Sequence, residues 1–347
     1  MIRVLLVDDS VAARRSFAQI LASTSDIEVV GEASDPFSAR DLIVQLEPDV
    51  MLLDVEMPRM DGITFLRRLM HYRPMPVIVC SSLTRRGGEV AFEAYQAGAT
   101  EVICKPNESY TRVQLEADLI AAVRSAALAR RRSNSHAPNA VELRHRNDVA
   151  LVAIGASTGG TVAVETIIRA LPENMAPILI VQHMPPYITA PFAARLKSLS
   201  RLDVSEATDG QILRDGQALV APGGQHMTLE RFGTGFRVRV RQGPRVSGHK
   251  PSVDVLFHSV AKAAGSEAVG LLLTGMGRDG AEGMGAMRAA GAHTLAQDEE
   301  SSVVFGMPRA AIELGAAAEV VSLKNAAQRL TAALQRSPTS IGATRAG

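Results

Sequence analysis

Along nearly the whole chain, short runs of β-branched and aliphatic residues alternate with stretches of helical period, and this alternation limits the fold more than any other feature. In the first part the apolar runs are residues 4–7, 29–33, 50–53, 77–81 and 101–104, each followed by a helical pattern, the last being the Ala- and Arg-rich stretch 109–132. Strands apolar on both faces need helices above and below, so the first domain, 1–132, is expected to be a doubly wound, five-stranded parallel α/β unit. The segment SNSHAPNAVELRHRND breaks every apolar period and marks a linker at 133–148. A second, mainly parallel α/β series fills 149–335, with strand-like runs at 149–154, 178–181, 204–207, 218–221, 269–274, 293–296 and 319–320. Within it, 227–231 and 236–241 form an expected antiparallel hairpin joined through 233–235. The Ser-, Thr- and Gly-rich tail 336–347 is expected to be disordered.

Length and composition narrow the classes of function. At 347 residues the chain can build two cores, and 46% hydrophobic with 21% charged residues is a globular balance. Lys and Arg total 37 against 36 Asp and Glu, so no overall field draws the protein to nucleic acid or a membrane. The second half offers no compact helix-turn-helix and no basic recognition stripe, which argues against a transcription factor. Cys80 and Cys104 lie in apolar strand-like runs and read as reduced core thiols rather than a disulfide framework. The chain opens on a strand rather than a basic and apolar signal region, and no apolar run approaches the roughly 20 residues a membrane helix needs. A cytoplasmic location without membrane insertion is expected.

Polar residues at the ends of strands carry the chemistry. Asp8 and Asp9 close the first strand, Asp54 the third, and Ser81 and Lys105 stand at the ends of the fourth and fifth. With strand order 2-1-3-4-5 the first and third strands are neighbours, and their carboxyl ends border one crevice. Three carboxylates there repel one another unless a divalent cation joins them, and hard oxygen ligands suit Mg²⁺. Asp54 is then the candidate acceptor of a phosphoryl group, Lys105 its compensating charge, and Ser81 a group that can bond the new oxygens. Taken singly, Asp8 and Asp9 could merely cap a helix and Lys105 could merely begin a turn; five such residues in one series fit those readings poorly.

In the second half, Gly155-Ala156-Ser157-Thr158-Gly159 matches G-x-S-x-G where a strand turns into a helix. Such a turn exposes a serine oxygen and points unpaired helix amides at it, and a phosphate-cradling loop is the rival reading. His183 ends the next strand and Asp279 follows a later one, so alcohol, imidazole and carboxylate all project from one sheet edge. That set suits Ser157 as nucleophile, His183 as general base and acid, and Asp279 as its orienter. His226, His249, His258 and His293 compete for the base, and Asp254 and Asp298 for the carboxylate. The backbone amides of Thr158 and Met276 are the candidate oxyanion donors. The order Ser, His, Asp differs from that of the α/β-hydrolase fold, so another parallel arrangement is required.

LLVDDS, LLDVEMPRMDG, Ser81 and KP, in that order, resemble a response-regulator receiver domain over about residues 1–130. The resemblance implies a flavodoxin-like sheet, phosphorylation at Asp54, and Mg²⁺ held by Asp8, Asp9, Asp54 and the backbone carbonyl of Glu56. Many receivers carry an aromatic residue three positions before the lysine; this chain has Val102, so their aromatic rotamer switch does not carry over. IGASTGG, QHMPP, APGGQHM, HKPSVDVLFHSVA, LLLTGMGRDGAEGM and VVFGMPRAAI resemble the methylesterase domain of the chemotaxis protein-glutamate methylesterase/glutaminase family. This second resemblance implies hydrolysis of glutamate methyl esters on the cytoplasmic helices of chemoreceptors and deamidation of glutamines there. It further implies a chemotaxis histidine kinase as phosphodonor and no cofactor for ester hydrolysis. Hydrolysis of another ester under receiver control, or a non-enzymatic adaptor, remain alternatives.

Overall fold

The structure, a computed structural model, describes residues 1–57, 60–81, 90, 93–105, 112–129 and 150–334, which divide into two compact units. The expected linker 133–148, the tail 336–347 and both ends of the expected helix 109–132 lie outside the described residues.

The first unit holds β1 (Ile2–Val7), β2 (Ile27–Ala33), β3 (Val50–Asp54), β4 (Val77–Ser81) and β5 (Glu101–Cys104) in a five-stranded sheet ordered β2-β1-β3-β4-β5. Every pairing is parallel. Its helices include α1 (Val11–Leu21), α2 (Pro36–Leu46), α3 (Gly62–Tyr72) and α4 (Arg112–Ala129). Strand alternation sorts the apolar runs between two faces. Val4, Leu6, Leu52, Ile78 and Cys80 join Phe17 and Ile20 of α1 and Leu119 and Val123 of α4 in one core. Their neighbours Leu5, Met51, Leu53 and Val79 are equally buried on the opposite face. Both faces are therefore covered, which is why these strands read as unbroken hydrophobic runs.

Ser10, whose hydroxyl accepts the Ala13 amide at 3.3 Å, caps α1, and Asp35 caps α2. The cap bond comes from Ser10 and not from Asp8 or Asp9; Asp8 Oδ1 accepts the Ser10 amide at 2.8 Å just ahead of the helix, while its Oδ2 stays at the sheet edge beside Lys105.

In the second unit seven strands form one parallel sheet: β6 (Leu151–Ala156), β7 (Ile178–Gln182), β8 (Asp203–Glu206), β9 (Gln217–Val220), β12 (Ala268–Leu272), β13 (His293–Gln297) and β14 (Glu319–Val321). Their order is β14-β13-β12-β6-β7-β9-β8. From β6 the chain first builds outward through β7, then returns to add β12, β13 and β14 on the other side. β6 is thus the point where the winding reverses, and the carboxyl ends of β6, β7 and β12 frame the crevice in which such sheets bind ligands. β6, β7 and β12 are buried along their whole lengths; each fully buried aliphatic side chain contributes about 1.5–3 kcal/mol, so the crevice stands on the firmest part of the sheet.

A separate antiparallel pair, β10 (His226–Phe232) and β11 (Gly235–Arg241), turns through residues 233–234, as expected. Its inward residues Met227, Leu229, Phe236 and Val238 share a core with Leu256, Phe257 and Val260 of α7 (Val253–Ala263) and Met284 and Met287 of α8 (Ala281–Ala289). Arg231, at the end of this face, lies over the ring of its cross-strand partner Phe236, and on the opposite face Arg237 lies over Phe232. The remaining helices are α5 (Gly160–Ala170), α6 (Thr189–Leu199), α9 (Met307–Glu313) and α10 (Leu323–Ala333). No helix among the described residues is long and apolar enough to cross a membrane.

Candidate functional site

In the first unit β1 and β3 are hydrogen-bonded neighbours, so Asp8 and Asp54 leave the same edge side by side. Asp8, Asp9 and Asp54 each offer a carboxylate oxygen within 4.8 Å of the others. Lys105, just past β5, bridges two of them, its Nζ 3.1 Å from Asp8 Oδ2 and 2.9 Å from Asp54 Oδ2. Burial pushes Asp54 above the usual carboxylate range; Lys105 pulls the other way, and Asp8 adds repulsion. Burial disfavours the Lys105 cation, yet Asp54 and Asp8 outweigh it and raise the ammonium above its ordinary value. One cation facing three carboxylates leaves an oxygen-lined, net negative pocket, the donor chemistry a small divalent ion takes. Glu56 is exposed two residues beyond Asp54. Ser81 ends β4, and its side chain lies outside the described residues. Val102 is buried.

In the second unit the turn after β6 lifts Ser157 to the start of α5. The Ser157 amide donates to the Thr274 carbonyl at 3.0 Å and the His183 amide to the Ala156 carbonyl at 3.1 Å, which ties together the ends of β12, β6 and β7. The loop after β12 presses against the nucleophile turn, because a Cβ added at Gly275 would lie 2.7 Å from Ser157 Cβ. Only a glycine permits that approach, and Met276 is the next residue of this loop. Thr158 is buried, and its carbonyl accepts the Thr274 hydroxyl at 2.9 Å.

His183 Nε2 lies 2.7 Å from Asp279 Oδ2. The same carboxylate accepts the Ser252 hydroxyl at 2.8 Å and the amides of Val253 at 2.7 Å and Asp254 at 3.0 Å. Asp279 therefore sits on the N-terminus of α7, where unpaired amides and the helix dipole favour an anion. Burial would raise it, but His183 and these donors hold it well below the usual carboxylate range. His183 Nδ1 is buried and has no hydrogen-bond partner. Among the described residues a hydrogen bond joins His183 to Asp279, and none joins Ser157 to His183; serine–base contacts of this kind commonly tighten only when substrate arrives.

The competing residues are occupied elsewhere. His226 spans Pro244 and Ser252, His258 is exposed, and His293 pairs with Glu319. Asp298 holds the turn at Ser301, while Asp254 accepts the Gly283 amide and the Ser247 hydroxyl. His249 is the exception. Its ring stacks on His183 with centroids 3.7 Å apart and planes 7° from parallel, and its Nδ1 is 2.8 Å from the Ser247 carbonyl. Burial, with His183 adding to it, lowers His249 to about 3, so the ring is neutral in the working range. His183, His249 and Asp279 could be mistaken for a metal cluster, but parallel stacked rings aim their lone pairs side by side rather than at one ion. The sequence offered His249 only as one histidine among several.

Known proteins resemble this chain along nearly all of its length. Residues 152–330 match the family model described as CheB methylesterase, and residues 4–115 that of the response regulator receiver domain. A protein of Anaeromyxobacter dehalogenans (strain 2CP-C) named protein-glutamate methylesterase/protein-glutamine glutaminase 4 is 55% identical over 91% of this chain and 90% of its own length. A protein-glutamate methylesterase/protein-glutamine glutaminase of Escherichia coli (strain K12) is 48% identical over 95% of this chain and 96% of its own. The crystal structure of the Thermotoga maritima CheB methylesterase catalytic domain superposes with a TM-score of 0.52 at 37% identity, covering 53% of this chain and 98% of that one.

Proposed function

The chain belongs to the receiver-regulated protein-glutamate methylesterase/glutaminase family of chemotaxis, and on that premise we propose that Ser157, His183 and Asp279 perform its hydrolysis while Asp54 receives the controlling phosphoryl group. The observation that carries this reading is the buried 2.7 Å contact of His183 with Asp279, one strand away from a serine at a helix N-terminus.

With Nε2 committed to Asp279, Nδ1 is the nitrogen left to take the Ser157 proton. The serine oxygen attacks the glutamyl carbonyl carbon, and the amides of Thr158 and Met276 receive the oxyanion. His183 then passes its proton to the leaving group: methanol from a methyl ester, ammonia from a glutamine amide. A water molecule, deprotonated by the same imidazole, releases glutamate from the acyl-enzyme. Both activities follow from one site because only the leaving group differs. Asp279 needs no proton of its own; four donors keep it ionised and steady the imidazolium.

In the first unit Asp54 Oδ attacks the phosphorus of a donor such as the phosphohistidine of the chemotaxis histidine kinase; the O–P bond forms as the N–P bond breaks, the donor imidazole leaves, and Lys105 compensates the new charge. Mg²⁺ held by Asp8, Asp9, Asp54 and the Glu56 carbonyl would neutralise the transferring oxygens. Ser81 then bonds the phosphoryl group and couples its arrival to the neighbouring loop. The substrates are glutamate methyl esters and glutamines of chemoreceptor cytoplasmic helices, which places the protein in the cytoplasm.

The test is to incubate the protein with methyl-labelled receptor cytoplasmic fragments, with and without a small phosphodonor and Mg²⁺, and to count volatile label. The reading expects release that the phosphodonor raises in the wild type but not in Asp54→Asn. Label release from Ser157→Ala at the wild-type rate refutes it.

A further inference from the structure

The last residue of β7, Gln182, is 2% exposed and has no part in the relay described above. Ala156 is its register partner on β6, so its side chain starts directly beneath the nucleophile turn. Its carboxamide nitrogen lies 2.9 Å from the Ser157 carbonyl and 3.3 Å from the His183 carbonyl. Both hydrogens of one NH₂ group are thereby spent on the backbones of the nucleophile and the base. The orientation is not arbitrary, since a flipped amide would turn its oxygen against two carbonyl oxygens.

The slot is tight. A Cβ added at Gly160 would stand 2.2 Å from Gln182 Oε1, so the carboxamide lies flush against the first turn of α5. That oxygen is buried and makes no hydrogen bond. A buried acceptor left unpaired opposes folding and offsets what the two donated hydrogen bonds contribute, so stability alone gives little reason to hold a glutamine here. What Gln182 supplies instead is a fixed distance between two backbones. The Ser157 carbonyl is held from a second side by the Gly160 amide at 2.7 Å, and its amide by the Thr274 carbonyl at 3.0 Å. The relay needs an unmade serine–histidine contact to close to hydrogen-bond length, and the two residues follow different strands, Ser157 after β6 and His183 after β7.

We propose that Gln182 is a positioning residue for the esterase and glutaminase reactions, its carboxamide clamping the Ser157 and His183 backbones at the separation the proton transfer requires. The proposal rests on Ser157 and His183 acting as nucleophile and base. It assigns Gln182 no contact with substrate, so its effect falls on kcat and leaves KM alone.

The experiment compares Gln182→Met, which keeps length and volume but donates nothing, and Gln182→Glu, which at neutral pH opposes carboxylate oxygens to the two carbonyls. Measurements are kcat and KM for methyl-ester release per titrated active site, and the rate at which a small sulfonyl fluoride labels Ser157. Titration of sites removes any contribution from misfolded protein. Expected are a kcat about 10- to 100-fold lower in Gln182→Met and lower still in Gln182→Glu, KM within twofold, and labelling slowed in parallel. Wild-type kcat in Gln182→Met, or a loss residing in KM, overturns the proposal. Ser157→Ala runs alongside: if it keeps turnover, the relay itself is wrong, whereas if it is inactive while Gln182→Met is normal, only the clamp fails.

Discussion

Asp54, the last residue of β3, and Asp279, in the loop that follows β12, are both buried aspartates at the carboxyl edges of parallel sheets, yet their surroundings drive them in opposite directions. Asp54 is raised because burial outweighs the help of one shared lysine; Asp279 is lowered because an imidazole, a hydroxyl and two helix amides saturate its oxygens. The difference teaches what each group is for. A carboxylate that must form a bond keeps oxygens facing an open pocket and accepts the strain of desolvation. A carboxylate that must only orient a histidine is locked by every donor in reach.

The largest expected effect separates the two sites outright. Ser157→Ala should cut methanol release by about six orders of magnitude while Asp54 still takes up phosphate from a small donor, read by phosphoprotein mass. Asp54→Asn should show the reverse, with basal release retained and no response to the donor. A shared loss in either variant would break the comparison.

Asp279→Asn should lower kcat by about four orders of magnitude, since an amide no longer fixes the histidine tautomer. Retention of kcat within tenfold would mean that orientation is not what Asp279 contributes.

Stability should diverge as well. The lowered pKa of Asp279 makes its charged form a stabilising element above the ordinary value of 3.8, lost as pH falls through the lower folded value. Asp279→Asn should therefore weaken amide-exchange protection of Val253–Ala263 at pH 7 by on the order of 2 kcal/mol, with the deficit fading in strong acid. Asp54 has the opposite sign: its raised pKa makes the charged form unfavourable to folding above that pKa, and the penalty disappears below 3.8. In metal-free buffer Asp54→Asn should strengthen protection of Val50–Asp54 at pH 7 and lose that advantage toward pH 4. Matching signs in the two variants would refute the electrostatic account.

The smallest effect belongs to His249. Loss of an aromatic stack is worth about 0.5–1.5 kcal/mol, so His249→Ala should lower kcat by roughly 2- to 10-fold. In the wild type its ring signals should not titrate between pH 5 and 8.

The meeting of His183 with Asp279 and the acidic pocket were legible because each polar residue interrupts or follows an apolar run, and in a parallel sheet such breaks converge on one edge. Strand pairing in the first unit matched the order 2-1-3-4-5 of the doubly wound fold, which alternation by itself does not specify. The order β7-β9-β8 was not legible, since alternation announces parallel strands without naming their neighbours. Nor was the cradle of Asp279, which depends on α7 presenting its N-terminus from a segment 25 residues earlier. His249 and Gln182 escaped for the same reason: one is delivered by the loop over residues 242–250, and the other looks like an ordinary strand end until its two backbone partners are seen.

The central claim is a covalent acyl-enzyme on Ser157 prepared by His183 and Asp279. Rapid-quench mass spectrometry during turnover of a glutamyl methyl-ester peptide tests it most directly. The account predicts a transient adduct of the peptide acyl mass at Ser157, formed with one equivalent of methanol and absent from Ser157→Ala. Methanol release with no adduct on the wild type, and at an unchanged rate in Ser157→Ala, would contradict it.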